Sequence, residues 1–129
     1  MKKTTENWLK IAEKDLKFAN LCLDESEPLG VITHLHASME KILKAICEET
    51  IGLPPKTHSL KKLALDICKL NLEKKQIQLM SLLDEAFMDS RYPEDITLFE
   101  EEFNIKVCKE IFTETKETIK CLKNLLLKN

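Results

Sequence analysis

Arginine is almost missing from this chain: 20 of its 129 residues are Lys or Arg, and all but Arg91 are lysine. Glycine occurs twice, proline four times, and aromatic residues make up 5%. Two glycines cannot build a Gly-rich phosphate loop, and no Gly-x-Ser-x-Gly elbow is present. The scarcity of aromatics, set against abundant Leu, Lys and Glu, disfavours sheets and favours long helices. No apolar run approaches the ~18 residues of a membrane span. Met1-Lys2-Lys3-Thr4-Thr5 leads straight into charged amphipathic sequence, without the apolar core of a signal peptide. The five cysteines are odd in number and never paired as Cys-x-x-Cys. That pattern reads as reduced, core-type thiols in a cytoplasmic protein. The net charge of −2 is well mixed along the chain, so no domain-wide field draws nucleic acid and any such contact must be local.

What is present is helical periodicity over a length suited to one domain, residues 1–129. From Thr5 to Leu23, Trp8, Ile11, Phe18 and Cys22 form one stripe, with Leu9, Ala12, Leu16, Ala19 and Leu23 beside it. This face is wide enough for two neighbours. Asp15 falls in line with the first stripe, either on its solvated flank or in a buried polar contact. After Glu27-Pro28-Leu29-Gly30, a second helix to about Thr50 carries Ile32, Leu35, Met39, Ile42 and Ile46 and should be the most buried. His36, Glu40 and Lys44 share another of its faces, as its solvated side or as the wall of a polar cleft.

Gly52 and Pro54-Pro55 end that helix. A third is expected from Thr57 or His58, with Leu60, Leu63, Ala64 and Ile67 inward. Asn71-Leu72-Glu73 reads as a turn, and Ile77, Met80, Leu83 and Phe87 mark a fourth helix that stops near Ser90 or Arg91. There Pro93 should hold Tyr92 extended. Glu94-Asp95 and Glu100-Glu101-Glu102 read as an acidic loop. A heptad of Ile105, Cys108, Phe112, Thr115, Ile119, Leu122 and Leu126 then makes a fifth helix that packs along its length. The fold class is all-α, an up-and-down bundle of four to five helices.

Candidate chemistry is sparse. His34 and His36 lie about 200° apart on a helix and cannot chelate one ion, so no metal is expected. His58, at a helix start, is either a base or anion-site donor, or a cap. Arg91 is either a cation on a helix C-terminus, paired with Glu94 or Asp95, or a bidentate partner for phosphate. A lysine would serve the first role equally well, whereas phosphate calls for the planar guanidinium.

Ala37-Ser38-Met39-Glu40-Lys41-Ile42-Leu43-Lys44-Ala45, Thr57-His58-Ser59-Leu60 and Arg91-Tyr92-Pro93-Glu94-Asp95, with Trp8-Leu9, Ala12 and Asp15-Leu16 before them, resemble HEPN domains over nearly the whole chain. The resemblance implies a helical bundle that forms a homodimer and binds nucleotides or RNA. It also implies partnership with a minimal nucleotidyltransferase, in some cases as a toxin–antitoxin pair. No cofactor is expected. On this footing Arg91 holds a phosphate, Tyr92 stacks on a base, and His58, Glu40 and Lys41 line the neighbouring wall. The alternatives are a metal-independent ribonuclease using His58 and Arg91, or a purely structural interaction bundle. RNA-cleaving HEPN domains carry Arg followed four to six residues later by His. No histidine follows Arg91 here, so the reading leans away from an enzyme.

Overall fold

A helix whose apolar row is flanked on both sides by further buried positions has to run through the middle of the bundle, and α2 (Pro28–Thr50) does so. In the computed structural model, which describes residues 1–92 and 94–127, Ile32, Leu35, Met39 and Ile42 are fully buried and Ile46 nearly so. α2 touches α1 (Lys3–Asp24), a π-helix (Lys62–Ile67), α3 (Lys74–Arg91) and α5 (Ile105–Leu127). The long helices run up and down an all-α bundle around one hydrophobic cluster to which every long helix contributes. No helix among the described residues is long and apolar enough to cross a membrane.

α1 packs on α2 and α5 through the second of its two expected stripes: Ala12 and Ala19 are buried, and Leu9, Leu16 and Leu23 lie partly buried against the core. The buried seam is Thr5, Ala12 and Ala19, spaced by sevens, while Ile11 and Phe18 stay exposed. Small side chains at a heptad spacing let two helix backbones approach closely, and larger residues then flank the contact instead of filling it. The approach is close enough for Ser38 Oγ to donate to the Ala12 carbonyl at 2.8 Å. At the turn into α2, a Cβ placed on Gly30 would sit 2.5 Å from Cys22 Sγ.

The third helix begins later than expected. Thr57 and His58 stay non-helical; helical structure starts at Leu60 and widens into the π-helix. Ser59 is the effective cap, its Oγ accepting the Lys62 N–H at 3.2 Å. Leu60, Leu63 and Ala64 are buried as expected, and Lys69, at φ 51°, turns the chain away. Glu73 and Gln76 cap α3 reciprocally, so the predicted turn at Asn71-Leu72-Glu73 is also a helix start.

The acidic loop is a correction. α4 (Ile96–Glu102) occupies it, because the Asp95 carboxylate accepts the N–H groups of Thr97 and Leu98 and because Phe99 and Phe103, rings 5.0 Å apart, anchor it to the core. Tyr92 closes α3 at φ −132°, ψ 51°, short of the extended geometry expected of it. Pro93, the reason for that expectation, lies outside the described residues.

The α1–α2 approach generates a test. Gly30→Ala should destabilise by about 1–3 kcal/mol through overpacking against Cys22. Combined with Cys22→Ala it should be neutral or better, since alanine gains about 1 kcal/mol of helix propensity over glycine. Thermal denaturation of the single and double variants checks this, and equal losses in both would place the strain elsewhere.

Candidate functional site

The polar face of α2 is not solvated. His36, Glu40 and Lys44 are 1%, 4% and 8% exposed, and groups buried so deeply need partners. Glu40 has three. His58 Nδ1 donates to its Oε1 at 3.0 Å, and Lys44 Nζ and Lys41 Nζ reach Oε2 at 3.1 and 3.4 Å. Burial alone would push the Glu40 carboxyl up, but the Lys41 charge and the bonds from His58 and Lys44 outweigh it and hold the group below the ordinary range. Glu40 is thus a support that orients the His58 ring, not an open ligand contact. His58 itself is two-thirds exposed on its side chain. Its expected place at a helix start is corrected: it precedes the first helical residue by two and faces a carboxylate on α2.

One turn earlier on α2, His36 Nε2 donates to Asp84 Oδ1 of α3 at 3.0 Å. The same carboxylate accepts the Leu60 N–H at 2.9 Å, the Lys61 N–H at 3.3 Å and the Ser59 hydroxyl at 3.4 Å. Burial pushes Asp84 up, and the His36 bond with the two backbone N–H groups pulls it below its usual value. Asp84 therefore caps, from a different helix, the segment that carries His58. His34, two residues before His36, turns instead to Asp15 of α1 at 3.1 Å, so Asp15 is a partly buried polar contact and the two imidazoles serve different neighbours.

Asp84, Phe87 and Arg91 follow at three- and four-residue steps along α3, on one face. The Phe87 ring stacks on His36, centroids 4.0 Å apart and planes 5° from parallel. The Arg91 guanidinium lies 5.5 Å from the Phe87 centroid and 5.9 Å from that of Tyr92, which is 69% exposed. Arg91 is exposed and, among the described residues, makes no ion pair. Asp95, which might have neutralised it, is committed to capping α4.

One continuous surface therefore carries His58, Asp84, Phe87, Arg91 and Tyr92, with His36 and Glu40 beneath. A chain of contacts links the ends of this surface: His58 to Glu40, one helical turn along α2 to His36, then the Phe87 ring and Arg91. Sequence reasoning found the ends and missed Asp84 and Phe87 between them. The available signal was an acidic residue next to Leu83 in the apolar row of α3, a position where a solvated charge is out of place.

A family model, the HEPN domain, matches residues 5–126. No curated protein and no solved structure matches the chain.

The two depressed carboxyls fix a pH dependence. Their contribution to stability is complete above the unfolded-state values, 4.5 for Glu40 and 3.8 for Asp84, and is lost as pH falls through the lower folded values. Asp84→Asn should cost about 1.5–3 kcal/mol at pH 7. The gap from the unmodified protein should hold steady down to about pH 5 and close below pH 4. Urea unfolding at a series of pH values measures it; a gap that widens on acidification would contradict the assignment.

Proposed function

Because this chain belongs to the HEPN domain family, we propose that it is a nucleotide- or RNA-binding module whose phosphate contact is Arg91. The observation that carries the reading is the exposed guanidinium, held over Phe87 beside Tyr92 with no carboxylate partner among the described residues. A planar fork left open in this way suits a phosphate, and the Tyr92 ring offers a face for a base. His58 and Lys41 supply further donors along the same surface, with Glu40 acting through them.

Binding is favoured over cleavage. The Glu40 carboxylate orients the His58 ring as a base would need, but no histidine follows Arg91 at the spacing carried by RNA-cleaving HEPN domains. One charge-assisted contact contributes about 1.5–3 kcal/mol, which alone supports only weak affinity. The reading therefore includes a second contributor: a homodimer mate, or a minimal nucleotidyltransferase in a cytoplasmic toxin–antitoxin pair, with Tyr92 exposed as an acceptor for a transferred nucleotide.

Calorimetric titration of purine and pyrimidine nucleotides and of short RNA should show binding that weakens roughly 10- to 100-fold in Arg91→Ala. Arg91→Lys should fall between, having kept the charge and lost the fork. Equal heats for all three proteins would remove Arg91 from the site. RNA cleaved in EDTA by the wild type and spared by His58→Ala would instead establish the ribonuclease.

A further inference from the structure

Away from this surface, Cys47 of α2 faces Cys68, the residue that closes the π-helix, with the two sulfurs 2.7 Å apart. Both are free thiols, and a disulfide bond is ~2.05 Å long, so joining them needs only a small further approach. We propose that Cys47 and Cys68 are a thiol-oxidation site, where a hydroperoxide converts the pair into an intramolecular disulfide that fastens the π-helix to α2.

Three observations support it. The pair is juxtaposed by two elements already packed together, since Leu63 and Ala64 are buried in the same core as Leu43 and Cys47. The wide turn brings Cys68 to this place: its N–H bonds the Leu63 carbonyl and the Leu70 N–H bonds that of Ala64, both at 2.9 Å. The chemistry is also divided between the two sulfurs. The hydrogen bond from Cys68 outweighs burial at Cys47 and, with the Lys44 charge, draws that thiol below its usual value; the same bond, with burial, pushes Cys68 up. Cys47 is therefore the nucleophile and Cys68 the proton-bearing partner. Cys108, fully buried like Cys47, donates instead to the Phe103 carbonyl and is pushed up to about 11, the profile of an inert core thiol.

Cys68 is the partly exposed member, and the oxidant approaches from its side. The Cys47 sulfur attacks one peroxide oxygen, the O–O bond breaks, and the departing oxygen leaves as water, giving a sulfenic acid. The Cys68 sulfur then attacks the Cys47 sulfur; the S–S bond forms, the S–O bond breaks, and the hydroxyl leaves as a second water with the Cys68 proton. Two thiols lose two electrons and two protons, and one hydrogen peroxide becomes two waters. The bond closes a loop that contains Gly52, His58 and Ser59, so the His58 segment becomes covalently tied to α2. None of this depends on whether Arg91 binds a nucleotide.

The test treats the full chain with hydrogen peroxide, removes the oxidant with catalase, denatures, alkylates free thiols and maps the peptides by mass spectrometry. The expected result is a Cys47–Cys68 cross-link in most molecules, reversed by dithiothreitol and absent from Cys68→Ser, while Cys121→Ser still forms it. Because the link is mapped in the unmodified protein, a poorly folding variant does not decide the outcome. Cys47 and Cys68 recovered alkylated, sulfinic acid at either position without a cross-link, or links confined to Cys121 between chains would each overturn the proposal.

Discussion

The carboxylate of Asp84 joins three elements at once, and the rest of the polar architecture depends on that junction. It accepts the ring of His36 on α2 and two backbone N–H groups at the start of the π-helical segment, while its own helix carries Phe87 and Arg91 onward to the surface. Without this acceptor, a nearly fully buried imidazole and the first free amides of a helix would lack partners. Buried polar groups without partners cost more than the bonds that satisfy them return. The segment after the Pro54-Pro55 loop is therefore fixed by α3, and His58, which precedes it, is delivered to Glu40.

Replacing such a network by well-packed apolar residues is often neutral or stabilising, so the ion pairs of Glu40 and the His36–Asp84 bond are weak arguments for stability as such. Their consequence here is positional. They hold one exposed imidazole, one exposed guanidinium and one exposed phenol on a common surface of a bundle whose other cations are lysines, mostly on solvated faces. A hydrogen-bonded support beneath exposed side chains lowers the ordering cost of a ligand contact. Under the proposed reading, these exposed groups serve an extended phosphate-bearing ligand.

Most of the fold was legible because it rests on apolar periodicity, which α2, α3 and α5 display along their length. The failures each have a local cause. On α1, Ile11 and Phe18 of the first expected stripe stay exposed, because Ala12 and Ala19 of the second let the helix approach its neighbour closely. α4 was hidden by its own charges, although Asp95 and the Phe99–Phe103 pair specify it. The π-helix was invisible because its widened turns leave the same Leu60, Leu63 and Ala64 inward as an α-helix would. At the site, Arg91, Tyr92 and His58 stood out by composition and motif, whereas Asp84 and Phe87 acquire their meaning only through His36, a partner 48 residues from Asp84 that no local pattern connects to it.

The most direct test is a nucleotide titration followed by NMR, comparing the unmodified protein with Asp84→Asn. If Asp84 holds the His58 segment beside the Arg91 surface, the unmodified protein should show shifts at His58, Lys41, Arg91 and Tyr92 together. In Asp84→Asn the His58 response should be lost, with the Leu60 and Lys61 amides exchanging faster, while the Arg91 response remains. Shifts confined to another face of the bundle, or an unchanged His58 response in the variant, would contradict the account.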